Sequence, residues 1–391
     1  MKLEDMILDR VNNMPPSGIR KYFDMIYDMD DAISLGIGEP DFVTPWNIVE
    51  AGIYSLEKGH THYSANSGIA ELRKEISKSL SEKYGLNYDY NDEVIVTVGG
   101  SEGIDIALRA LVGPGDEVII PEPSFVAYKG CTAFTGATAK VINLRVEDEF
   151  KLTPSLLEEA LTPKTKVVII PFPNNPTGAI MTREELSKIV DVLKDKDVII
   201  LSDEIYSELT YGNKHVSIAS FPEVRDKTIV INGFSKAYAM TGWRLGYVCG
   251  NKVLIDAMKK IHQYAIMCAP TTAQYAAIEA LKNSENSVQE MTSEYNRRRR
   301  VVVTSFKKMG LKCFEPLGAF YVFPCIKSTG LSSDEFCEKL LQQERVLVIP
   351  GNAFGECGEG FIRVCYSSSM ENILESMTRI ERFINKIKEN K

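Results

Sequence analysis

The feature that most constrains the fold is an alternation of short β-branched runs with longer helical patterns. Seven runs have strand character: Val94–Thr97, Val118–Ile120, Val141–Asn143, Val167–Ile170, Val198–Leu201, Ile229–Ile231 and Tyr247–Cys249. Between them lie helical patterns such as Ser101–Leu111 and Arg183–Leu193. Strands that alternate with helices in this way form a mainly parallel sheet with helices on both faces. We therefore predict an α/β fold with a seven-stranded sheet.

The pattern changes after Pro270. Long helical patterns, among them Val288–Lys308, then flank short strand patterns, which is typical of an α+β unit. The segment before Pro45 is too short to fold alone. We predict a large domain of residues 46–287 and a smaller, discontinuous α+β domain of residues 1–45 and 288–391.

Charge and apolar patterning bear on the class of partner. The chain has 45 Lys+Arg against 53 Asp+Glu, a net charge of −8, which disfavours nucleic-acid and anionic-membrane surfaces. The one basic run, Arg297–Arg300, is predicted to be a solvated helix face. No apolar stretch approaches the roughly 18 residues of a membrane helix. Acidic residues within the first ten argue against a signal peptide, so we expect a cytoplasmic protein.

The cysteines and histidines do not form a recognisable metal site. The eight cysteines are scattered without a Cys-x-x-Cys pair, which is typical of reduced thiols in a large cytosolic chain. His60 and His62 lack nearby cysteines or an acidic cluster that would complete a set of ligands. We therefore expect no metal.

Polar residues follow three consecutive predicted strands. Asn175, in Asn-Pro-Thr-Gly, follows the fourth strand; Asp203 and Tyr206 follow the fifth; Lys236 follows the sixth. Each has an ordinary structural explanation, as a turn, a helix cap or a surface lysine. Because the carboxyl ends of parallel strands meet at one sheet edge, their joint occurrence predicts a functional site there.

A fourth strand end adds a glycine turn, Gly99-Gly100-Ser101-Glu102, that leads into a helix. It matches neither the dinucleotide nor the Walker fingerprint. Backbone N–H groups at a helix start bind phosphate, and Ser235 and Arg244 lie near the same edge. A site for one phosphate, a lysine and an aspartate together point to pyridoxal 5′-phosphate.

Further motifs occur in a fixed order along the chain. They are Gly38-Glu39-Pro40-Asp41-Phe42, Tyr63 in His-Tyr-Ser-Ala-Asn-Ser-Gly, the Gly100-Ser101-Glu102 turn, Tyr128, Asn175, Asp203 with Tyr206, the Ser-Lys-x-Tyr-x-Met-Thr-Gly-Trp-Arg segment from Ser235 to Arg244, and Arg363 in Gly-Phe-Ile-Arg-Val. Over nearly its whole length the chain resembles the class I/II aminotransferases, which are fold-type I pyridoxal-phosphate enzymes. The lysine segment is the most specific of these motifs.

The resemblance implies a role for each matched residue. Lys236 matches the catalytic Schiff-base lysine. The other implied cofactor contacts are Asp203 at the pyridine nitrogen, Tyr206 and Asn175 at the phenolic oxygen, Tyr128 stacked on the ring, and Ser101, Glu102, Ser235 and Arg244 at the phosphate. Arg363 matches the arginine that holds the substrate α-carboxylate, with the Gly38 N–H beside it. Tyr63 matches a tyrosine that reaches the neighbouring subunit's phosphate, which implies a homodimer with shared active sites.

The function that the resemblance implies is transfer of the amino group of an L-amino acid to a 2-oxo acid such as 2-oxoglutarate. Two alternatives remain. One is a pyridoxal-phosphate-dependent C–S β-lyase that acts on sulfur amino acids. The other is a non-catalytic sensor domain of the kind fused to DNA-binding modules, which the absence of a basic N-terminal module disfavours.

The amino donor is left open between aromatic amino acids, aspartate and N-acetyl-diaminopimelate. One aspartate-preferring subgroup has a lysine at the position of Ser101, and another has an arginine in the segment matching His262–Cys268. This chain has neither, which argues against a dedicated aspartate enzyme. Arg20 is a candidate to meet a distal acid, although a surface position is the simpler interpretation.

Overall fold

The computed structural model describes residues 3–16, 18–26, 29 and 31–389. Among these residues the strands are β1 (Ile33–Ser34), β2 (Val94–Thr97), β3 (Glu117–Glu122), β4 (Thr138–Asn143), β5 (Thr165–Ile170), β6 (Ile199–Asp203), β7 (Thr228–Gly233), β8 (Gly246–Cys249), β9 (Tyr321–Val322), β10 (Val346–Leu347), β11 (Ile349–Pro350) and β12 (Ile362–Cys365). The α-helices are α1 (Asp9–Asn12), α2 (Gly18–Ile26), α3 (Trp46–Glu57), α4 (Ala70–Tyr84), α5 (Gly99–Leu111), α6 (Ala127–Thr135), α7 (Pro154–Ala160), α8 (Arg183–Leu193), α9 (Pro222–Arg225), α10 (Lys252–Ala265), α11 (Thr271–Asn283), α12 (Glu285–Lys308), α13 (Ser333–Glu344) and α14 (Met370–Glu389).

The central element is a seven-stranded sheet in the order β2-β8-β7-β6-β5-β3-β4. Its strands pair in parallel except for β8, which is antiparallel to both β2 and β7. The predicted α/β fold with a mainly parallel sheet is thereby confirmed. The neighbouring strands β5, β6 and β7 run in parallel, so their carboxyl ends lie at one edge.

Both faces of this sheet are apolar because helices cover both. In β2, Val94 and Val96 pack in one cluster with residues of α4 and α11. The intervening Ile95 packs in another cluster, with residues of α5 and α10. This alternation follows from the two-residue period of a strand.

The remaining strands connect the two ends of the chain. The short sheet β11-β12-β9 is antiparallel, and β1 pairs in parallel with β10, with Ile33 opposite Val346. The N-terminal segment therefore contacts the C-terminal part, the arrangement that a discontinuous small domain requires. The domain boundaries themselves stay predictions.

The prediction of a solvated face for Arg297–Arg300 is wrong for two of its members. Arg298 and Arg299 are buried on α12. Arg298 Nη1 lies 2.7 Å from Asp41 Oδ1, and Arg299 Nη1 lies 2.7 Å from Glu315 Oε1. These ion pairs compensate the buried charges, and the first attaches the Gly-Glu-Pro-Asp segment to α12.

Neither a membrane-spanning helix nor a cluster of metal-binding side chains occurs in the residues that the structure describes. No helix in them is long and apolar enough to span a membrane. They contain no group of three His, Cys, Asp or Glu side chains placed to hold a metal ion.

Candidate active site

A cavity of about 260 Å³ lies at the carboxyl ends of β5, β6 and β7. Ten predicted site residues line it: Gly38, Ser101, Tyr128, Asn175, Asp203, Tyr206, Ser235, Lys236, Arg244 and Arg363. Two predicted site residues, Glu102 and Tyr63, are not among its lining residues. The sheet edge thus brings together the side chains that follow successive strands.

Lys236 is held in the loop after β7. Its Nζ donates a hydrogen bond to the carbonyl oxygen of Gly38 at 2.7 Å. Burial lowers the pKa of this amine to about 8, because the charged form is poorly solvated in the cavity. A larger neutral fraction near neutral pH makes the amine a better nucleophile.

Gly38 uses its carbonyl, whereas the sequence analysis assigned a role to its N–H. A Cβ at this position would overlap the hydroxyl of Tyr321, so glycine is required for the close approach of the two segments. The contribution of the Gly38 N–H to carboxylate binding stays a prediction.

Asp203 ends β6 with its carboxylate buried in the cavity wall. Oδ1 accepts the N–H of Ile205 at 3.2 Å, and Oδ2 accepts the hydroxyl of Tyr128 at 2.6 Å. Burial raises the pKa of Asp203, and the hydrogen bond from Tyr128 opposes that rise. Both partners are neutral donors, so the buried carboxylate suits a cationic ligand such as a protonated pyridine nitrogen.

Tyr128 and Phe125 form an aromatic corner of the cavity. Their rings are nearly perpendicular, at 89° with centroids 5.7 Å apart, and both line the cavity. A flat ligand ring can lie parallel to only one of them. The stacking role of Tyr128 therefore stays a prediction, and its observed contact is the hydrogen bond to Asp203. Phe125 was not among the predicted site residues, and its only signal in the sequence is an aromatic residue three positions before Tyr128.

The start of α5 forms another part of the cavity wall. Gly99 has φ of +74°, and a Cβ there would lie 2.7 Å from Arg244 Nη2. Glycine is thus required both by the backbone conformation and by the close approach of the guanidinium. Ser101, Ser235 and Arg244 line the same space. Two hydroxyls, a cation and the free N–H groups of a helix start fit a phosphate group.

Glu102 is predicted to bind phosphate, but its side chain has other partners. Oε1 lies 2.6 Å from Nδ1 of the buried His262, and Oε2 accepts the N–H of Val98 at 2.5 Å. The Glu102 carboxylate therefore links the start of α5, through the N–H of Val98, to the buried His262. This placement also avoids a negative side chain in a phosphate site.

Tyr63 is 82% exposed and does not line the cavity of its own chain. A nearby depression contains Tyr63 together with Val98, Cys268 and Pro270. Its predicted contact with a neighbouring subunit stays a prediction.

Arg363, on β12, has an N–H group that is free to bind an anion. Nη1 donates to Asn175 Oδ1 at 3.0 Å and Nη2 donates to the carbonyl of Gly36 at 2.5 Å. Its Nε is buried without a hydrogen-bond partner. The guanidinium carbon lies 4.7 Å from the ring centroid of Tyr321 and 4.6 Å from that of Phe354. An orphaned buried N–H on a cation between two rings fits a carboxylate ligand.

Tyr206 contacts a second phenol that sequence analysis missed. Its hydroxyl oxygen lies 2.8 Å from that of Tyr321, and both side chains are buried. Burial raises the pKa of both phenols well above the ordinary value. Tyr321 lies opposite Cys365 in the β9–β12 pair, which makes it a diagonal neighbour of Arg363. No local sequence pattern indicates that pairing.

The rest of the cavity wall is largely apolar, with Ile19, Ile104, Phe125 and Ile205 among its lining residues. The cationic side chains that line it are Lys236, Arg244 and Arg363. The side chain of Arg20, a candidate for a distal acid, lies outside the described residues.

Comparisons with known proteins agree with this geometry. A family model described as aminotransferase class I and II matches residues 30–380. The putative aminotransferase YugH of Bacillus subtilis is 52% identical, over 97% of this chain and 98% of that protein. The aromatic-amino-acid aminotransferase 2 of Thermococcus litoralis is 42% identical, over 97% and 98%. The structure of an aspartate aminotransferase from Thermus thermophilus with maleate superposes with a TM-score of 0.91 at 34% identity, covering 96% of this chain and 99% of that one.

Proposed function

Since the chain belongs to the class I and II aminotransferase family, we propose that it transfers the amino group of an L-amino acid with an uncharged, aromatic or other apolar side chain. The acceptor is a 2-oxo acid such as 2-oxoglutarate. Enzymes of this family depend on pyridoxal 5′-phosphate, and the protein is a transaminase of that kind. The preferred donor and the role of each residue are the proposal.

Lys236 and Asp203 have different proposed roles in the reaction. When bound, the cofactor supplies an electron sink for the negative charge that develops at the substrate Cα. Lys236 would hold the cofactor through its amine, and the substrate amine would take its place. The freed amine of Lys236 would then take the proton from the substrate Cα as general base and deliver it to C4′ of the cofactor as general acid, a task suited to an amine with a pKa of about 8. Asp203 keeps the proton on the pyridine nitrogen.

The charges along the cavity wall carry the proposed donor preference. Arg363 is assigned to the α-carboxylate, Arg244 to the phosphate and Lys236 to the chemistry. These are the cationic side chains among the described lining residues, and each already has a proposed task. A substrate carboxylate buried without a partner is costly, whereas an apolar side chain gains by contact with Ile19 and Phe125.

A donor panel tests the preference. Phenylalanine, tyrosine, alanine, aspartate and N-acetyl-diaminopimelate are each offered with 2-oxoglutarate. We expect kcat/KM for the best uncharged donor to exceed that for aspartate by about 10–100-fold, the loss expected for an unpaired charged hydrogen-bonding group. A matched Ile19→Arg variant adds a cation and should raise aspartate turnover selectively. An aspartate preference in the wild type contradicts the proposal.

The same assays address the two alternative functions. A C–S β-lyase releases pyruvate and ammonia from a sulfur amino acid such as cystathionine without an acceptor. A sensor domain binds cofactor and amino acid without turnover. Acceptor-dependent turnover that exceeds any pyruvate release supports the transaminase.

The proposed assembly is a homodimer with shared active sites. Three of the exposed large side chains are relevant here. Trp46, which precedes Tyr63 in the chain, is 68% exposed. Tyr264 and Met267, on the segment around residue 266, are 89% and 45% exposed. Apolar surface of this kind favours burial against a second copy. Tyr63 would then reach the cofactor phosphate of the partner.

Mixing two inactive variants tests the shared sites. In a mixed dimer of Tyr63→Phe and Lys236→Ala chains, one site receives both defects and the other receives neither. Activity should reappear on subunit exchange and approach one working site per heterodimer. If both variants are inactive and proven exchange restores nothing, Tyr63 acts within its own chain.

We also assign the protein to the cytoplasm, with small-molecule substrates and no nucleic-acid or membrane partner. All eight cysteines are free, which fits a reducing compartment. Disulfides in protein purified without reductant, mapped by peptide analysis after alkylation, would contradict this assignment.

A further inference from the structure

Tyr321 contacts two groups of the active site at once. Its hydroxyl oxygen lies 2.8 Å from that of Tyr206, and its ring faces the guanidinium of Arg363 at 4.7 Å. It is 1% exposed and lines the cavity. The absence of a side chain at Gly38 leaves room for this hydroxyl. The roles assigned above do not use this tyrosine.

Donor and acceptor counting fixes the direction of the phenol–phenol bond. Each hydroxyl has one hydrogen to donate. If Tyr206 binds the phenolic oxygen of the cofactor, which is anionic, its hydrogen goes to that oxygen. The oxygen of Tyr206 can then only accept, so the hydrogen between the two phenols comes from Tyr321.

We infer that Tyr321 is a positioning residue that donates its hydrogen bond to Tyr206 and thereby strengthens the bond from Tyr206 to the cofactor. This inference rests on the proposed function, because it requires the cofactor in the cavity. A hydroxyl that accepts a hydrogen bond is a stronger donor, since successive bonds polarise one another. The phenolic oxygen's negative charge is therefore stabilised by two tyrosines in series.

The ring of Tyr321 has a separable task. The guanidinium carbon of Arg363 lies 4.7 Å from the ring centroid of Tyr321 and 4.6 Å from that of Phe354. These contacts hold the guanidinium in one orientation for a carboxylate. Removal of the hydroxyl affects the cofactor end, whereas removal of the ring affects the carboxylate end.

The cofactor's own absorbance reports the first effect. Hydrogen bonds to the anionic phenolic oxygen lower the pKa of the nitrogen that joins Lys236 to the cofactor. The visible band, which changes when this nitrogen loses its proton, should therefore change at a lower pH. The charged or titratable groups around the two phenols are Arg363, Cys365 and Lys236, and all are retained in the variants below. A change in the midpoint then reports the altered hydroxyl.

The experiment is a spectroscopic pH titration of the holoenzyme. Tyr206→Phe should raise the midpoint, and Tyr321→Phe should raise it by a smaller amount, on the order of 0.3–0.7 pH unit. In Tyr206→Phe/Tyr321→Phe the second change should add nothing, because its effect passes through Tyr206. Tyr211→Phe is the control: its buried hydroxyl bonds the carbonyl of Ala319 outside the cavity, and it should leave the midpoint unchanged.

The ring is tested by binding. An unreactive carboxylate, 3-phenylpropionate, is titrated into the holoenzyme and followed by the same band. Tyr321→Leu should weaken its binding about threefold or more, on the scale of a cation–π contact, and Tyr321→Phe should leave it within twofold. Equal weakening by both variants contradicts the separation of ring and hydroxyl.

Each failure has a distinct signature. A wild-type protein without a visible band overturns the proposed function itself. Two results overturn the inference about Tyr321 and leave the proposed function standing. One is a pH midpoint that does not change in Tyr321→Phe. The other is a double variant in which the two midpoint shifts add. A Tyr321→Phe protein that folds but does not hold cofactor also counts against the inference, because the hydroxyl would then support structure rather than Tyr206.

Discussion

The two ends of the active-site cavity are built in different ways. The proposed cofactor end includes Asn175, Asp203 and Lys236, which follow the neighbouring parallel strands β5, β6 and β7. The proposed substrate end includes Arg363 and Tyr321, which the antiparallel β9–β12 pairing brings together and which contact Gly36 and Gly38 of the N-terminal segment. The backbone positions at the cofactor end are therefore set by one sheet, although Lys236 Nζ also contacts Gly38, whereas the substrate end is brought together only by contacts between distant parts of the chain. Substitutions at the two ends should accordingly have different kinetic signatures.

The largest effect is expected at Lys236. Lys236→Ala removes both the covalent anchor and the proton carrier, so kcat should fall by about 10⁴-fold or more. Steady-state transamination measures this. Lys188→Ala is the matched control, because Lys188 is an exposed residue of α8 whose partner is Glu184, and it should change kcat less than twofold. Substantial turnover by Lys236→Ala would contradict the assignment.

Asp203→Asn should have the next largest effect. The amide keeps the size of the side chain and loses the charge that holds the pyridine proton, so kcat should fall by about 10²–10³-fold. Tyr128→Phe removes only a neutral donor to the same carboxylate and should cost less than tenfold. Near-normal kcat in Asp203→Asn, with unchanged circular dichroism, would make Asp203 a turn residue only.

At the substrate end, Arg363→Lys should lower kcat/KM by about 10–100-fold, because lysine cannot bind a carboxylate in the bidentate way. The factor should be similar for alanine, phenylalanine and tyrosine, since all present the same α-carboxylate. The ratio of kcat/KM values across donors is the measurement. A loss confined to acidic donors would place Arg363 at the side-chain end instead.

The smallest effect concerns pH. If Lys236 holds the cofactor, its neutral amine is the form that would react with the cofactor aldehyde, and burial lowers the pKa of that amine to about 8. The capture rate of the apoprotein should therefore rise with pH and level off above about 8, instead of rising until about 10.5 as for an ordinary lysine. Stopped-flow absorbance measures it. A rate that still rises steeply at pH 10 would show that the amine is not desolvated.

The same contrast explains what the sequence reveals. The sheet could be predicted from the sequence pattern, and strand ends place Asn175, Asp203 and Lys236 at its edge without knowledge of packing. Gly38, Tyr128 and Arg363, which also line the cavity, were indicated only by the family resemblance. Tyr321 and Phe125 were missed, because their importance comes from a strand register and a ring angle that no local pattern encodes. The phosphate role of Glu102 stays a prediction, and the contact of its side chain with the buried His262 depends on tertiary packing that no local pattern shows.

The most direct test of this account is reduction of the holoenzyme with borohydride, followed by proteolysis and mass mapping. The visible band should disappear, and the reduced cofactor should be found on Lys236, with the surface control Lys188 unlabelled. Labelled peptide that contains another lysine, or a band that survives reduction, would contradict the claim that the edge of the large sheet holds the cofactor through Lys236.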